Sequence, residues 1–377
     1  MLGRLVAFDT TSRNSNLELI DFVAAFLARH GIPSRLIRDE TGAKANLVAT
    51  IGPEGPGGIV LSGHTDVVPV DGQPWTSDPW TMVERDGRLY GRGTADMKAF
   101  SAVALAMVPA FVAAKPKIPI HLALSYDEEI GCFGVPGIID FMKKAGIRPR
   151  AIVVGEPTSM RVVNAHKGIQ AFRTTVTGKE AHSSATHVGV SAIAVAAELI
   201  AELNRIADDL RRAADPKSRF DPPYTTIQIG VIQGGTAANI IPRECAFKWE
   251  YREIPGEDVA KIMSRFEARA AQLRAEMQRR APEADILTEL GPRLVPLVPE
   301  PGSPAETLAL ALARQNATHA VSYGTEAGAF QADLETPVVV CGPGDILQAH
   351  APDEFIAVDQ IEECVAFMRR LLAHVAS

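Results

Sequence analysis

Residues 118–129 read IPIHLALSYDEE, an apolar run that ends in three consecutive acidic residues. The run is apolar at nearly every position, which is typical of a strand covered by helices on both faces of a sheet. Four other short runs share this character, and segments with helical spacing separate them. They are ANLVATI at 45–51, GGIVLSG at 57–63, AIVVG at 151–155 and PVVVCG at 337–342. This alternation predicts an α/β fold built on a mostly parallel sheet that helices cover on both sides.

The pattern changes in the middle of the chain, between about residues 166 and 292. The segment ECAFKWEYRE at 244–253 alternates apolar and polar side chains, which is typical of an antiparallel strand buried on one face. Two long helical patterns, at about 191–214 and 257–280, lie in the same part of the chain. We therefore expect a smaller α+β domain at 166–292, inserted into a larger discontinuous domain formed by residues 1–165 and 293–377.

Composition and charge narrow the classes of function. The 377 residues carry a formal net charge of −7, which argues against nucleic acid or an anionic membrane as a partner. No apolar stretch approaches the roughly 20 residues that a membrane span needs, and the first residues lack the pattern of a signal peptide. The four cysteines form no CxxC pair, so neither a disulfide framework nor a thiolate zinc site is expected. These features predict a cytoplasmic globular protein.

Histidine and carboxylate side chains follow the predicted strands of the larger domain. Sites in such sheets form at the carboxyl ends of strands, so these side chains are expected to converge. The candidates are His64, Asp66, Asp96, Asp127, Glu128, Glu129, Glu156 and His350. Two imidazoles with several carboxylates and no thiolate suit Zn²⁺ or a similar divalent ion. Their number exceeds the needs of one tetrahedral site, which favours a pair of metal ions with one bridging carboxylate.

Taken singly, each of these residues has an ordinary structural explanation. A histidine after a strand is more often a hydrogen-bonded loop residue than a metal ligand, and Asp96 could simply cap the following helix. The spacing of His64 and Asp66 indicates a ligand ring oriented by a neighbouring carboxylate. The joint pattern over five loops, each with a suitable residue type, favours the metal centre. Asp127 has no specific role in this interpretation and is expected to be a solvated or supporting carboxylate.

Five motifs carry a resemblance to a known family. They are SGHTDVVP at 62–69, GRGTADMK at 91–98, DEEIGCFG at 127–134, GEPT at 155–158 and QAHAPDEF at 348–355. In this order they resemble the co-catalytic dinuclear metallopeptidases and amidohydrolases of the peptidase M20 type, over essentially the whole chain. Within that family, the segments DTTSRNSN, SYGTEAGAF and GPGDILQAH are most similar to acetylornithine deacetylases. The resemblance implies a zinc-exopeptidase-like fold in which the inserted domain serves as a lid and dimerisation domain.

The resemblance also implies a role for each residue of the candidate metal centre. His64 and Glu156 would hold one divalent ion. Glu129 and His350 would hold the other, and Asp96 would bridge the two. The expected cofactors are therefore two divalent metal ions, Zn²⁺ before Co²⁺.

Further residues take catalytic roles by the same resemblance. Glu128 would be the general base that takes a proton from the attacking water, while Asp66 would support the catalytic centre. His182 would donate to the oxyanion of the tetrahedral intermediate, supplied across a homodimer. The resemblance also implies a cis peptide bond between Asp96 and Met97.

The substrate side of the site is expected in the inserted domain and near residue 325. An arginine fork matches a carboxylate bidentately, so Arg252 is the expected partner of the substrate carboxylate. Asn239, Gly324 and Thr325 are its expected helpers. Glu326 adjoins Gly324 and Thr325 and is the expected partner of a substrate side-chain ammonium.

The function implied by the resemblance is hydrolysis of N2-acetyl-L-ornithine to L-ornithine and acetate, a step of arginine biosynthesis. The nearest alternative is another N-acyl-amino-acid hydrolase with the same mechanism, such as a succinyl-diaminopimelate desuccinylase, an aminoacylase or a dipeptidase. A more distant alternative is a non-catalytic relative that uses the fold for binding. That alternative predicts the loss of a ligand or of Glu128, and this chain retains all of them.

Overall fold

The fold is built on fifteen strands and nine helices, in a computed structural model that describes residues 1–377. The strands are β1 Ser34–Arg38, β2 Ala45–Ile51, β3 Ile59–His64, β4 Val83–Arg85, β5 Arg88–Tyr90, β6 Ile120–Ser125, β7 Ala151–Pro157, β8 Val163–His166, β9 Gly168–Thr177, β10 Thr226–Gly234, β11 Glu244–Glu253, β12 Asp285–Leu294, β13 His319–Val321, β14 Val338–Gly342 and β15 Phe355–Ala357. The helices are α1 Leu2–Val6, α2 Leu17–Arg29, α3 Lys98–Ala114, α4 Val135–Lys144, α5 Ala192–Arg212, α6 Val259–Gln278, α7 Pro304–Ala313, α8 Ala327–Leu334 and α9 Val358–Ala376.

Eight strands form the larger sheet, in the order β1-β2-β6-β3-β7-β14-β8-β13. The four central strands β6, β3, β7 and β14 are parallel to their neighbours in this group, while β1, β2 and β8 pair antiparallel. Every residue of the four central strands is buried. The predicted mostly parallel sheet is confirmed, with antiparallel strands added towards its edges.

Helices cover both faces of this sheet. Alternate residues of its strands point to opposite sides, and the residues on both sides are buried. Ile59 and Leu61 of β3 belong to the apolar core that α1, α2, α3, α7 and α9 share. Val60 lies between them, points to the other face and is equally buried. Helices α4 and α8 pack against each other and against strands β2 and β14, respectively. All nine helices are too short or too polar to cross a bilayer.

A small third sheet, in the order β15-β5-β4, joins two segments that are distant in the sequence. Strand β15 pairs antiparallel with β5, so that Phe355 lies opposite Tyr90. The loop that leads to Asp96 begins directly after Tyr90, and the loop that carries His350 ends directly before Phe355. The peptide bond between Asp96 and Met97 is cis, as expected.

The chain divides into two compact units, of which the smaller comprises residues 167–296 and 321–324. Its four-stranded antiparallel sheet has the order β10-β11-β9-β12, and helices α5 and α6 pack on it. Phe172, Trp249 and Phe266 form the aromatic centre of its core, with Phe172 and Trp249 stacked at 4.1 Å between ring centroids. This α+β unit agrees with the predicted fold class. Its roles as a lid and in dimerisation stay predictions.

Candidate metal centre

The side chains expected at the metal centre lie at one edge of the larger sheet. His64 is the last residue of β3, and Glu156 is near the end of β7. Glu128 and Glu129 follow β6, which is the other neighbour of β3. Because β6, β3 and β7 are parallel, their carboxyl ends meet at the same edge. Asp96 reaches this edge from the loop before α3.

The Asp96 carboxylate lies between the two histidines. Its Oδ1 atom is 3.0 Å from Nε2 of His64, and its Oδ2 atom is 3.3 Å from Nε2 of His350. On one side, Oε1 of Glu156 is 3.5 Å from Nε2 of His64. On the other side, Oε2 of Glu129 is 3.0 Å from Nε2 of His350. The structure thus forms two histidine–glutamate pairs with one aspartate between them.

The oxygen atoms of this cluster fit a divalent cation. Ligand atoms of His64, Glu128 and Glu156 lie within 4.8 Å of one another, and so do those of His64, Asp96 and Glu129. Oε1 of Glu129 and Oε1 of Glu156 are buried and have no hydrogen-bond partner. A buried carboxylate oxygen without a partner is costly unless a cation balances it. Imidazole and carboxylate are ligands that suit Zn²⁺.

Electrostatics in the cluster favour protonated imidazoles in the absence of another cation. Burial opposes protonation of His64, but Glu156, Asp66 and Asp96 outweigh it, so the pKa of His64 lies well above its usual value. Hydrogen bonds to Asp96 and Glu129 raise the pKa of His350 to about 10. Burial alone would raise the pKa of Asp96, but the two histidines outweigh burial and lower it. Positive charge is therefore what this position stabilises.

The pKa values of Glu128, Glu129 and Glu156 are all raised, which favours their neutral form. Burial, together with the nearby charge of Glu156, raises the pKa of Glu128 well above its usual value. Burial and the charge of Asp96 raise the pKa of Glu129 to about 7. Burial raises the pKa of Glu156 to about 8, against the opposing effect of His64. Four acidic groups thus crowd a small buried volume, which indicates a functional site.

Asp66 contacts both the ring of His64 and the loop of the two glutamates. Nδ1 of His64 lies 2.9 Å from the backbone carbonyl oxygen of Asp66, and 3.6 Å from its carboxylate. The carboxylate also accepts hydrogen bonds from the backbone amides of Glu128 and Glu129 and from the hydroxyl of Ser12. The predicted carboxylate–histidine contact is therefore present as an ion pair, while the backbone carbonyl of Asp66 is the nearer acceptor for the ring. The side chain of Asp66 thereby positions the backbone of Glu128, the expected base, and of Glu129, an expected metal ligand.

Asp127 pairs with a residue that the sequence did not single out. Its Oδ1 atom lies 2.5 Å from Nζ of Lys44, which also donates a hydrogen bond to the backbone carbonyl of Ser12. Because Ser12 bonds to Asp66, the ion pair ties the acidic loop to two neighbouring loops. The expectation of a supporting carboxylate agrees with this geometry, but the expectation of a solvated one does not, because its side chain is only 12% exposed.

Cys132 contacts the proposed general base. Its Sγ atom lies 3.4 Å from Oε1 of Glu128, and both residues belong to the turn that follows β6. The motif DEEIGCFG contains this cysteine, but a single cysteine four residues after an acid carries no recognisable signal in the sequence.

The residues of the smaller unit that are expected to contact the substrate fall into two groups. The first group contains His182 and Asn239, and the second contains Arg252 and Gly324. Ser183, next to His182, donates its backbone amide to the carbonyl of Asn239 at 3.0 Å. Both His182 and Asn239 are exposed. Asn239 lies in the loop that joins Gly234, the end of β10, to Glu244, the start of β11.

Arg252 lies at the other end of β11 from that loop. It is opposite Ile169 of β9, and a Cβ atom at Gly324 would lie 3.3 Å from Cδ1 of Ile169. Arg252 and Gly324 are therefore close together. From Glu244 to Arg252 the strand extends for roughly 26 Å, at about 3.3 Å per residue. Within one chain, the two groups of expected substrate residues lie at opposite ends of the sheet.

The assignment of Glu326 to a substrate ammonium is wrong in this structure. Glu326 is 1% exposed, and its two carboxylate oxygens accept hydrogen bonds from the hydroxyls of Ser62 and Ser125, at 2.6 and 2.7 Å. Thr325 is 2% exposed, and its hydroxyl accepts a hydrogen bond from the amide of Ala327 at the start of α8. Sequence adjacency to Gly324 suggested a shared role, but both side chains turn into the core.

Comparisons with known proteins agree with this geometry. The sequence profile of peptidase family M20/M25/M40 matches residues 60–374. An acetylornithine deacetylase from Myxococcus xanthus is 38% identical over 382 residues, which is 99% of this chain and 96% of that protein.

Solved structures resemble the fold at much lower sequence identity. An M20 family metallo-carboxypeptidase from Sulfolobus solfataricus superposes with a TM-score of 0.78 at 16% identity, covering 100% of this chain and 98% of the other. A dinuclear metal-binding M20 peptidase from Bacillus subtilis superposes with a TM-score of 0.66 at 15% identity, covering 99% and 97%.

Proposed function

Because the chain belongs to peptidase family M20/M25/M40 and is a metal-dependent amidohydrolase, we propose that it hydrolyses N2-acetyl-L-ornithine to L-ornithine and acetate. Water adds across the amide bond, so that the acyl carbon gains a hydroxyl and leaves as acetate while the nitrogen leaves as the amine. The similarity to the deacetylase from Myxococcus xanthus along almost the whole chain supports this substrate. The observation that carries the chemistry is the Asp96 carboxylate between His64 and His350.

Five residues would hold the two metal ions, and zinc is the proposed metal. His64 and Glu156 would hold one ion, and His350 and Glu129 would hold the other. Asp96 would be a ligand common to both. When bound, divalent cations supply Lewis acidity for a carbonyl oxygen and make water a stronger acid. The unpartnered oxygens of Glu129 and Glu156 support this ligand set.

Glu128 is the proposed general base. Its carboxylate lies beside His64 and Glu156, and its backbone amide donates to Asp66. A base works best when its pKa is near the working pH, and burial raises the pKa of Glu128 in that direction. In this role the carboxylate takes one proton from the attacking water and delivers it to the leaving nitrogen. Cys132 and Asp66 hold the side chain and backbone of Glu128 for this transfer.

Arg252 is the proposed partner of the substrate carboxylate. Its side chain is 37% exposed and stands at the end of β11, where its Nε atom donates to Glu250 at 2.8 Å. Held in this way, the guanidinium can present its Nη atoms to a carboxylate. Gly324 lies at the same end of the sheet, where a Cβ atom would come within 3.1 Å of Leu294 and 3.3 Å of Ile169. Selection of an α-amino acid derivative follows from this pairing.

A homodimer is the proposed assembly, because one chain separates residues that a single substrate would need. His182 and Asn239 lie at the opposite end of the sheet from Arg252, so the proposed oxyanion donor would come from a second copy. Strand β10 is an edge strand with exposed apolar side chains, including Val231 at 45% and Ile232 at 53%. Exposed apolar residues on a strand edge favour pairing with another chain.

A panel of substrates tests the proposal directly. We expect kcat/KM for N2-acetyl-L-ornithine to exceed the values for N-succinyl-diaminopimelate, neutral acetyl-amino acids and dipeptides by at least tenfold, with Zn²⁺ or Co²⁺ added. A preference for one of the other substrates would assign the chain to that sister reaction. A properly folded protein that turns over none of them with either metal would favour a binding relative.

A further inference from the structure

Glu354 is a buried carboxylate whose side chain bonds to one loop. It is 1% exposed, and Oε1 accepts hydrogen bonds from the backbone amides of Ala95 and Asp96, at 2.8 and 3.1 Å. Oε2 accepts from the backbone amide of Gly93 at 3.0 Å and from Nη1 of Arg92 at 2.7 Å. All four hydrogen bonds of the side chain go to residues 92–96, and the last of these carries the carboxylate between the two histidines.

This arrangement is more than a means of burying two charges. Arg92 is also 1% exposed, and a buried ion pair of this kind is weak evidence for stability, because desolvation offsets much of its attraction. Three backbone amides directed at one carboxylate, however, fix the path of the chain from Gly93 to Asp96. The geometry therefore favours positioning of Asp96 as the role of Glu354.

Arg92 extends the contact to the loop of His350. Its Nη1 atom donates to the carbonyl of Ala351 at 3.4 Å, and its Nη2 atom donates to Oε1 of Gln73 at 2.6 Å. Gln73 in turn donates its Nε2 to the carbonyl of His350 at 2.9 Å. The guanidinium also lies over the ring of Trp75, 5.1 Å from its centroid.

His350 needs such support more than the other candidate ligands. Its side chain is 53% exposed, whereas that of His64 is 1% exposed. Its backbone has a φ of +61°, in the left-handed region that non-glycine residues occupy only when their surroundings hold them there. His64 is held differently, because it ends a central strand of the sheet.

We propose that Glu354, Arg92 and Gln73 are positioning residues that hold Asp96 and His350 together, and that they set the affinity of one of the two metal positions. The position concerned is that of His350, Glu129 and Asp96. The position of His64 and Glu156 shares Asp96, but its other two ligands lie on strands β3 and β7, so it depends less on this network. The inference rests on the proposed dinuclear function and deepens it, because it assigns the metal position that is lost first.

Metal titration of apo-protein tests the inference in the variant Glu354→Gln, which keeps the shape of the side chain but removes its charge. Binding of Zn²⁺ is measured by equilibrium dialysis and elemental analysis, and the absorbance of bound Co²⁺ reports each step. We expect the first equivalent to bind within twofold of wild type and the second to bind about 10- to 100-fold more weakly. Excess metal should restore kcat with an unchanged KM. Glu362→Gln, an exposed change on α9, is the matched control.

A second variant, Gln73→Ala, allows the inference to be tested even if Glu354→Gln does not fold. Gln73→Ala removes the hydrogen bonds of Gln73 to the carbonyl of His350 and to Nη2 of Arg92, but leaves the backbone amides of the Asp96 loop bonded to Glu354. We expect a smaller weakening of the same, second equivalent. Equal weakening of both equivalents, or of neither, in correctly folded protein overturns the inference. If Glu354→Gln does not fold, Gln73→Ala decides by the same criterion.

Metal stoichiometry and substrate turnover of the wild-type protein distinguish failure of this inference from failure of the proposed function. Wild type that binds two equivalents but hydrolyses no substrate of the panel refutes the substrate assignment, while the variants still decide the inference. Wild type that binds a single equivalent overturns the inference and the paired-metal ligand set, while the panel still decides the substrate.

Discussion

Oδ1 of Asp96 lies 3.0 Å from Nε2 of His64, and the second oxygen of the same carboxylate faces His350. Asp96 comes from the loop before α3, and His64 ends β3, so one short contact joins two separately built parts of the larger unit. A carboxylate with a histidine at each oxygen could bridge a pair of metal ions. The predictions below follow from this arrangement and from its surroundings.

The change Glu128→Gln removes the proposed base and keeps the shape of the side chain. We expect kcat to fall by about 10²- to 10⁴-fold, because that is the usual contribution of a positioned general base. Metal binding and KM should change little, since Glu128 is not a proposed ligand. Steady-state kinetics with metal analysis checks this, with Asp140→Asn on the exposed side of α4 as the control. A variant that keeps more than half of the wild-type kcat would remove Glu128 from the mechanism.

The change Arg252→Lys keeps the positive charge and removes the guanidinium fork. We expect KM for acetylornithine to rise by about 10- to 100-fold, because a charge-assisted bidentate contact contributes about 1.5–3 kcal/mol and lysine does not reproduce it. The control is Arg173→Lys, an exposed arginine on the neighbouring strand β9. Equal effects of the two changes would indicate a general effect of surface charge and would rule out a specific contact.

Mixed dimers test whether His182 acts across subunits. Homodimers of Glu128→Gln and of His182→Ala should each have low activity. Heterodimers obtained by co-expression of the two variants should have about half of the wild-type specific activity, because each of them contains one intact site of its two. The measurement is the specific activity of dimers purified through two different tags. No gain over the homodimers would show that His182 acts within its own chain or not at all.

The pH dependence of stability should contain a contribution from His121. This residue is 2% exposed and its Nε2 has no hydrogen-bond partner, and burial lowers the pKa of its imidazole to about 4. Between pH 6.5 and 4 the unfolded chain binds a proton that the folded chain does not, so the free energy of unfolding falls as the pH is lowered through this range. The loss between pH 7.5 and 5 should be roughly 2 kcal/mol.

Urea denaturation of His121→Gln, with a chelator present to remove metal effects, isolates this contribution. The glutamine amide can still bond to Thr50, whose hydroxyl lies 2.9 Å from Nδ1 of His121. We expect the variant to lose about 2 kcal/mol less stability than wild type between pH 7.5 and 5. The same pH slope in both proteins would refute the assignment.

The parallel sheet and the residues at its edge could be predicted from the sequence because their signals are local. Each central strand has its own apolar run, and the acids or histidines follow within a few residues. Helix α3, Lys98–Ala114, is one of the helices expected between the apolar runs. The antiparallel strand at 244–253 was equally clear, because its alternation of apolar and polar side chains marks one buried face.

Contacts between distant segments left no such signal. Lys44 is 83 residues from Asp127, and Arg92 is 262 residues from Glu354. In each pair the charges meet only because the sheet and the loops bring them together, and a single sequence does not record that. Glu326 illustrates the opposite error, in which neighbours in sequence were given one role although the side chain of Glu326 bonds to Ser62 and Ser125 in the core.

The most direct test of the dinuclear centre is an anomalous difference map from crystals of the zinc-loaded protein. The account predicts two zinc peaks, about 3.5–4 Å apart, on either side of the Asp96 carboxylate. One peak should be bound by His64 and Glu156, and the other by His350 and Glu129. A single peak at full zinc occupancy, or peaks that Asp96 does not bridge, would contradict the account.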